Sequence, residues 1–193
     1  MVKPSTSAYY AHTGNRPDGQ DWQPLKDHLT SVAQLAHTRA QAFGAADWAH
    51  LVGLMHDLGK YSQAFQQRLH GSNERADHAT AGAKVVVDHI VEIMGPQFLP
   101  LGKLLAFAIA GHHTGLANGI DEGKERSNLK QRLALEFGKN IPVLDERWRQ
   151  EIELPKTLRT PPLKPHLPQG KYTNFGLMFF ARMLFSCLID ADR

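Results

Sequence analysis

A single cysteine, Cys187, occurs in 193 residues, so the chain forms no internal disulfide and offers no thiolate set for a structural zinc site. Long apolar runs are missing as well. The longest, Gly176 to Ile189, is broken by Arg182 and is too short to span a bilayer. The first stretch, Met1 to Gln20, is polar and lacks a secretory apolar core. No run alternates as a half-buried strand does, and no internal repeat is visible. These absences exclude a disulfide-stapled secreted domain and predict a soluble, cytoplasmic protein without a membrane partner.

What remains is an ordinary globular composition, with 42% hydrophobic and 21% charged residues, enough for one domain with its own core. The net charge of +3 permits a nucleic-acid partner without requiring one. Apolar spacing predicts helices over Lys26–Phe43, Ala45–Leu58, Tyr61–Leu69, Asp77–Met94, Leu101–His113, Glu125–Phe137 and Asn174–Asp190, several stopped by glycine. Leu101–His113 is apolar nearly all round, which marks a central helix. Residues 1–20 read as an irregular N-terminal segment. Residues 139–172 carry six prolines and read as a long irregular excursion before the last helix, with a short helix near Leu144–Ile152. The expected architecture is one all-α domain over residues 1–193.

Eleven histidines are the unusual part of the inventory, and they gather at predicted helix ends. His56-Asp57 closes an apolar helix and is released by Gly59. His28 lies upstream, His78 downstream, and then come His112-His113 and Asp190. Neutral imidazole and carboxylate are ligands that first-row divalent metals share. A carboxylate can bridge two ions roughly 3.5–4 Å apart, the separation used in two-metal phosphoester hydrolysis. Asp57 is the natural bridge, since histidines flank it on both sides in sequence. Two imidazoles ending an otherwise apolar helix at His112-His113 need a compensating partner, a metal or an acid.

Helix geometry separates the remaining histidines. His37 falls about 180° from His28 on one helix, and His89 roughly 16 Å along the axis from His78. His12, His70 and His166 lie in turns or irregular segments, and His50 on another face from His56; all six read as surface or structural. Lys60 sits where an ammonium could hold a substrate phosphate, or else be solvated. Asp190 stays in helical register and is preferred over Asp192. Ser186, four residues before Asp190 on the same face, is placed to support it, with Arg182 as a possible substrate contact.

The ordered set His28, His56-Asp57, His78, His112-His113 and Asp190 resembles the HD superfamily of metal-dependent phosphohydrolases. More narrowly it looks like the HD nuclease domain of the CRISPR type I helicase-nuclease. The narrower likeness rests on His56-Asp57-Leu58-Gly59-Lys60, on Asp77-His78 with Ala81-Gly82-Ala83, on Gly111-His112-His113-Thr114-Gly115, and on Arg182 to Asp192. It implies a compact helical bundle with one metal held by His28, His56, Asp57 and Asp190. A second would be held by Asp57, His78, His112 and His113. It also implies cleavage of single-stranded DNA, the displaced target strand, in antiviral defence, with a guide-RNA surveillance complex and a helicase domain as partners. No ATP-binding loop occurs here, so the expectation is an excised nuclease domain or a separate subunit, the former preferred. Imidazole-rich ligation suits manganese, iron, cobalt or nickel, with zinc or magnesium less favoured. An HD phosphohydrolase acting on nucleotides or cyclic dinucleotides, and an inactive metal-binding docking module, are the rival readings.

Overall fold

Pro24 ends a short extended segment, and its missing N–H suits the start of a helix, so the first long helix begins at the next residue. The computed structural model describes residues 8–16, 18–74, 76–116, 128–161, 163 and 174–193. In chain order the elements are β1 (Tyr10–His12), β2 (Gln23–Pro24), α1 (Leu25–Ala40), α2 (Ala46–Met55), α3 (Gln63–Leu69) and α4 (Ala79–Met94). They are followed by α5 (Leu99–Gly111), α6 (Leu129–Ala134), α7 (Trp148–Glu151) and α8 (Asn174–Ala191). The all-α expectation holds and the helices predicted from spacing are present, except that of the span expected over Glu125–Phe137 only Leu129–Ala134 is helical among the described residues.

Two antiparallel pairs make the frame. α1 packs on α2 and α4 on α5, while α8 lies across α1, α5 and α2. Leu29, Val32, Ala33 and Ala36 of α1 meet Trp48, Leu51, Val52 and Met55 of α2 in a continuous core. α5 is the central helix its composition demands, burying Leu101, Leu105, Ala106, Ala108 and Ile109 between α4 and α8. Close approach depends on glycine at the crossings. A Cβ on Gly82 of α4 would overlap the Met55 carbonyl at the end of α2, and one on Gly53 would lie 2.5 Å from Ala33 Cα. Because neighbouring helices run antiparallel, the start of α1 and α4 and the end of α2, α5 and α8 meet at one end of the bundle.

The N-terminal stretch differs from expectation. Residues 10–12 pair antiparallel with Gln23 and Pro24, so part of segment 1–20 is a strand. Two or three residues are too few to show an alternation, and pairing here is secured by side chains elsewhere: Gln66 Nε2 donates to the Tyr10 carbonyl at 2.9 Å, and the Tyr10 N–H to Gln66 Oε1 at 3.1 Å. The described part of the proline-rich excursion is irregular but well packed. Trp148, Ile141 and Ile152 are buried, and Trp48 Nε1 donates to the Arg159 carbonyl at 3.1 Å. Its helix is a single turn, shorter than Leu144–Ile152. Pro162, Pro165, Pro168 and His166, and the first three residues of the helix expected over Glu125–Phe137, lie outside the described residues.

Candidate metal centre

Each chemistry-bearing side chain sits at a helix end, where the backbone ladder stops and polar groups need other partners. His28 is in the first turn of α1, His56 immediately follows α2, and His78 immediately precedes α4. His112 and His113 follow α5. Asp77 sets the start of α4 by accepting the Thr80 N–H at 3.0 Å and the Thr80 hydroxyl at 2.5 Å. The Gly59 N–H donates to the His78 carbonyl at 3.1 Å, and a side chain at Gly59 would overlap that carbonyl. Glycine there lets the turn after His56-Asp57 lie directly against the start of α4.

Asp57 stands between two sets of ligand atoms. Its Oδ2 lies 3.3 Å from His28 Nε2 and 3.4 Å from His56 Nε2, and Asp192 Oδ1 is 3.3 and 3.2 Å from the same two nitrogens. Its Oδ1 lies 3.4 Å from His78 Nε2 and 3.2 Å from His112 Nε2, with His113 Nε2 at 2.8 Å from His78 Nε2. The two groups, His28–His56–Asp57–Asp192 and Asp57–His78–His112–His113, each have the spacing to hold a metal ion, and they share one carboxylate.

The donor chemistry fits cations. With Nδ1 of His56 donating to the Gly53 carbonyl and Nδ1 of His112 to the Ile109 carbonyl, both at 2.7 Å, the neutral rings turn lone pairs on Nε2 inward. Those lone pairs face carboxylate oxygens, which also carry lone pairs. Asp57 Oδ1 and His112 Nε2 are buried and have no hydrogen-bond partner among the described residues. Unpaired buried polar atoms are costly, and a divalent ion held by both would satisfy them.

Electrostatics follow from the same crowding. Burial alone would raise the Asp57 pKa, but His56, His112 and His28 overrule it and hold the carboxyl well below its usual range. Burial would likewise raise Asp192, yet His28 and His56 hold it low. For His56, burial opposes charge but Asp57 and Asp192 prevail, pushing its pKa up to about 10. His28 is raised in the same way, with Asp192 and Asp57 opposing burial. His78 goes the other way, down to about 4, through burial. His113 is also lowered, by burial and by His112.

Six of the seven predicted ligands, His28, His56, Asp57, His78, His112 and His113, converge in this way. Asp190 does not. It is exposed and ion-paired with Arg39, while Asp192 occupies the place expected of it. The reason is helical register. The Asp192 N–H still bonds to the Leu188 carbonyl at 2.9 Å, so the last turn continues and positions 190 and 192 are about 200° apart. Leu184 and Leu188 are buried at four-residue steps that lead to Asp192, a signal the sequence carries. Arg182 and Ser186 share the outward face with Asp190, and both are exposed away from the ligands.

Lys60 is neither solvated nor free. It is 3% exposed, its Nζ lies 2.6 Å from Asp57 Oδ2, and it donates to the Ala11 carbonyl at 3.1 Å. His37 and His50 contact each other, and His89 meets the Pro155 carbonyl, so these three lie apart. His12 is exposed, as its surface reading has it, and its ring also stands edge-on to His28, 5.0 Å between centroids. Beside the ligands a cleft of about 500 Å³ is lined by His12, Thr13, Lys60, Phe65, Arg68, His78 and His113. Tyr61 is fully buried and donates its hydroxyl to Glu151. Phe65 is buried edge-on to His78, and Trp22 is half-buried against His70.

Comparison of whole sequences with curated proteins finds no match. The HD domain family matches residues 25–146, which include every candidate ligand but Asp192. The chain belongs to the HD domain family, and its activity class is metal-dependent phosphohydrolysis.

Proposed function

We propose that the protein is a metal-dependent nuclease that hydrolyses phosphodiester bonds of single-stranded DNA, the displaced target strand in CRISPR type I interference. In this reading it acts in the cytoplasm beside a helicase domain, on the same polypeptide or a separate subunit, and a guide-RNA surveillance complex. The observation that carries the reading is the cleft beside the ligands: exposed His113 and half-buried His78 line it together with Thr13, Lys60 and Arg68. Cationic and hydrogen-bonding groups beside the ligands suit a polyanionic strand that extends past the reacting phosphate.

The chain's own residues divide the work. His28, His56, Asp57 and Asp192 would hold one divalent ion and Asp57, His78, His112 and His113 the other. When bound, such ions supply an activated water and positive charge opposite the transferring phosphoryl group. The Gly53 and Ile109 carbonyls fix the ring orientation and tautomer of His56 and His112. Lys60 offsets the charge of Asp57 from the cleft side, and Phe65 packs edge-on against the His78 ring.

The test is a chelated and metal-repleted sample offered circular single-stranded DNA, double-stranded DNA and free nucleotides. Manganese- or nickel-dependent cleavage of the single-stranded circle is expected. Turnover of nucleotides with none of the circle would replace this reading with a small-molecule phosphohydrolase, and no turnover of either with a binding module.

A further inference from the structure

The lip of the cleft is built by the segment that sequence alone marks as irregular. Ala11, His12 and Thr13 line the cleft together with Arg68, His78 and His113. The lip is tied down from several directions. Lys60, the partner of Asp57, donates to the Ala11 carbonyl, and Gln66 Nε2 donates to the carbonyls of both Tyr10 and Lys60 at 2.9 Å. Gln66 lies on α3, the helix that carries Arg68, so the strand and the arginine are held by one element.

Two side chains on this frame have no structural task that explains them. His12 touches His28 yet stays largely open to the cleft. The Arg68 guanidinium is exposed and makes no ion pair or hydrogen bond among the described residues; Arg182 shares that state on the outward face of α8, but Arg68 lines the cleft beside the ligands. A guanidinium presents parallel N–H donors that match phosphate oxygens, and an imidazole donates at least one N–H in either protonation state.

We propose that His12 and Arg68 form a second phosphate subsite, which binds the backbone phosphate neighbouring the one placed at the metal ligands. The substrate is then a strand with at least two consecutive phosphates, and a mononucleotide fills only half of the recognition surface. This rests on the reading of the cleft as a phosphodiesterase site and goes further by naming the residues that select a polymer.

The experiment uses the full chain in chelator, which prevents cleavage, and measures fluorescence anisotropy of a labelled oligothymidylate over a salt series. Arg68→Ala should weaken binding at least about fivefold and lower the salt-dependence slope by about 0.7, the value for one phosphate contact on a single strand. Arg68→Lys should keep the slope while losing part of the affinity, which a merely structural role would not produce. His12→Ala should weaken binding severalfold, and Arg39→Ala, outside the cleft, should not. Circular dichroism confirms that each variant is folded. Wild-type affinity and slope in Arg68→Ala and His12→Ala, or a wild-type protein that fails to bind the strand, would overturn the subsite. Binding with the expected pattern but no metal-dependent cleavage would leave the subsite standing and remove the hydrolytic reading instead.

Discussion

Replacing Asp57 by alanine removes more than a bridging ligand. The carboxylate is 1% exposed and lies 2.6 Å from the Lys60 ammonium, itself 3% exposed. At an effective dielectric constant near 20, attraction over that distance is about 6 kcal/mol before desolvation is counted. Deleting one partner of such a pair leaves the other charge buried, and typically destabilises by roughly 3–5 kcal/mol. For a chain of this size that corresponds to a fall in Tm of roughly 6–20 °C. Asp57→Ala/Lys60→Met removes both charges and should recover most of the loss, while metal binding stays abolished. Thermal and urea unfolding followed by far-ultraviolet circular dichroism, in chelator, measures the cycle. A single variant within about 1 kcal/mol of wild type, or a double variant no better than the single, would refute the buried-pair argument. The double variant is also the proper inactive control, since its loss of activity is not confounded by unfolding.

Three further expectations are readily checked. Asp192→Ala should lower metal content by about one ion per chain and abolish turnover, whereas Asp190→Ala loses only a surface ion pair, about 0–1 kcal/mol, and keeps both; elemental analysis of the two variants decides. In chelator, stability should fall as pH rises from about 7 toward 10, because folded His56 with a pKa of about 10 keeps a proton that the unfolded chain releases. The same proton is displaced when metal enters, so affinity should climb over that range, and calorimetry in buffers of different ionisation enthalpy should show proton release on loading. Gly82→Ala places a Cβ against the Met55 carbonyl, so α4 must shift from α2; a loss of about 1–3 kcal/mol is expected on unfolding.

Much of this was legible in the sequence because helices announce themselves by period. α1, α2, α4, α5 and α8 carry apolar residues at three- and four-residue steps, and their ends are marked by Gly44, Gly59, Gly95 and the His112-His113 doublet. The ligands sit at those ends, so the order of His28, His56-Asp57, His78 and His112-His113 already implied convergence. Asp190 failed because counting to the end of the helix is not the same as asking which face is buried. The run Leu184, Leu188, Asp192 answers that question, and Arg182, Ser186, Asp190 is its outward counterpart. The surroundings of Lys60 and His12 were illegible for another reason. They come from contacts distant in sequence, Lys60 with the Ala11 carbonyl and His12 with His28, and no local pattern encodes these.

Central to the account is that Asp57 would serve two ion positions, since its Oδ2 lies beside His28 and His56 and its Oδ1 beside His78 and His112. Electron paramagnetic resonance of manganese-loaded protein, with metal content measured on the same sample, tests this most directly. Two ions per chain with an exchange-coupled spectrum are predicted. One ion per chain, or two that give only the spectrum of isolated manganese, would contradict it.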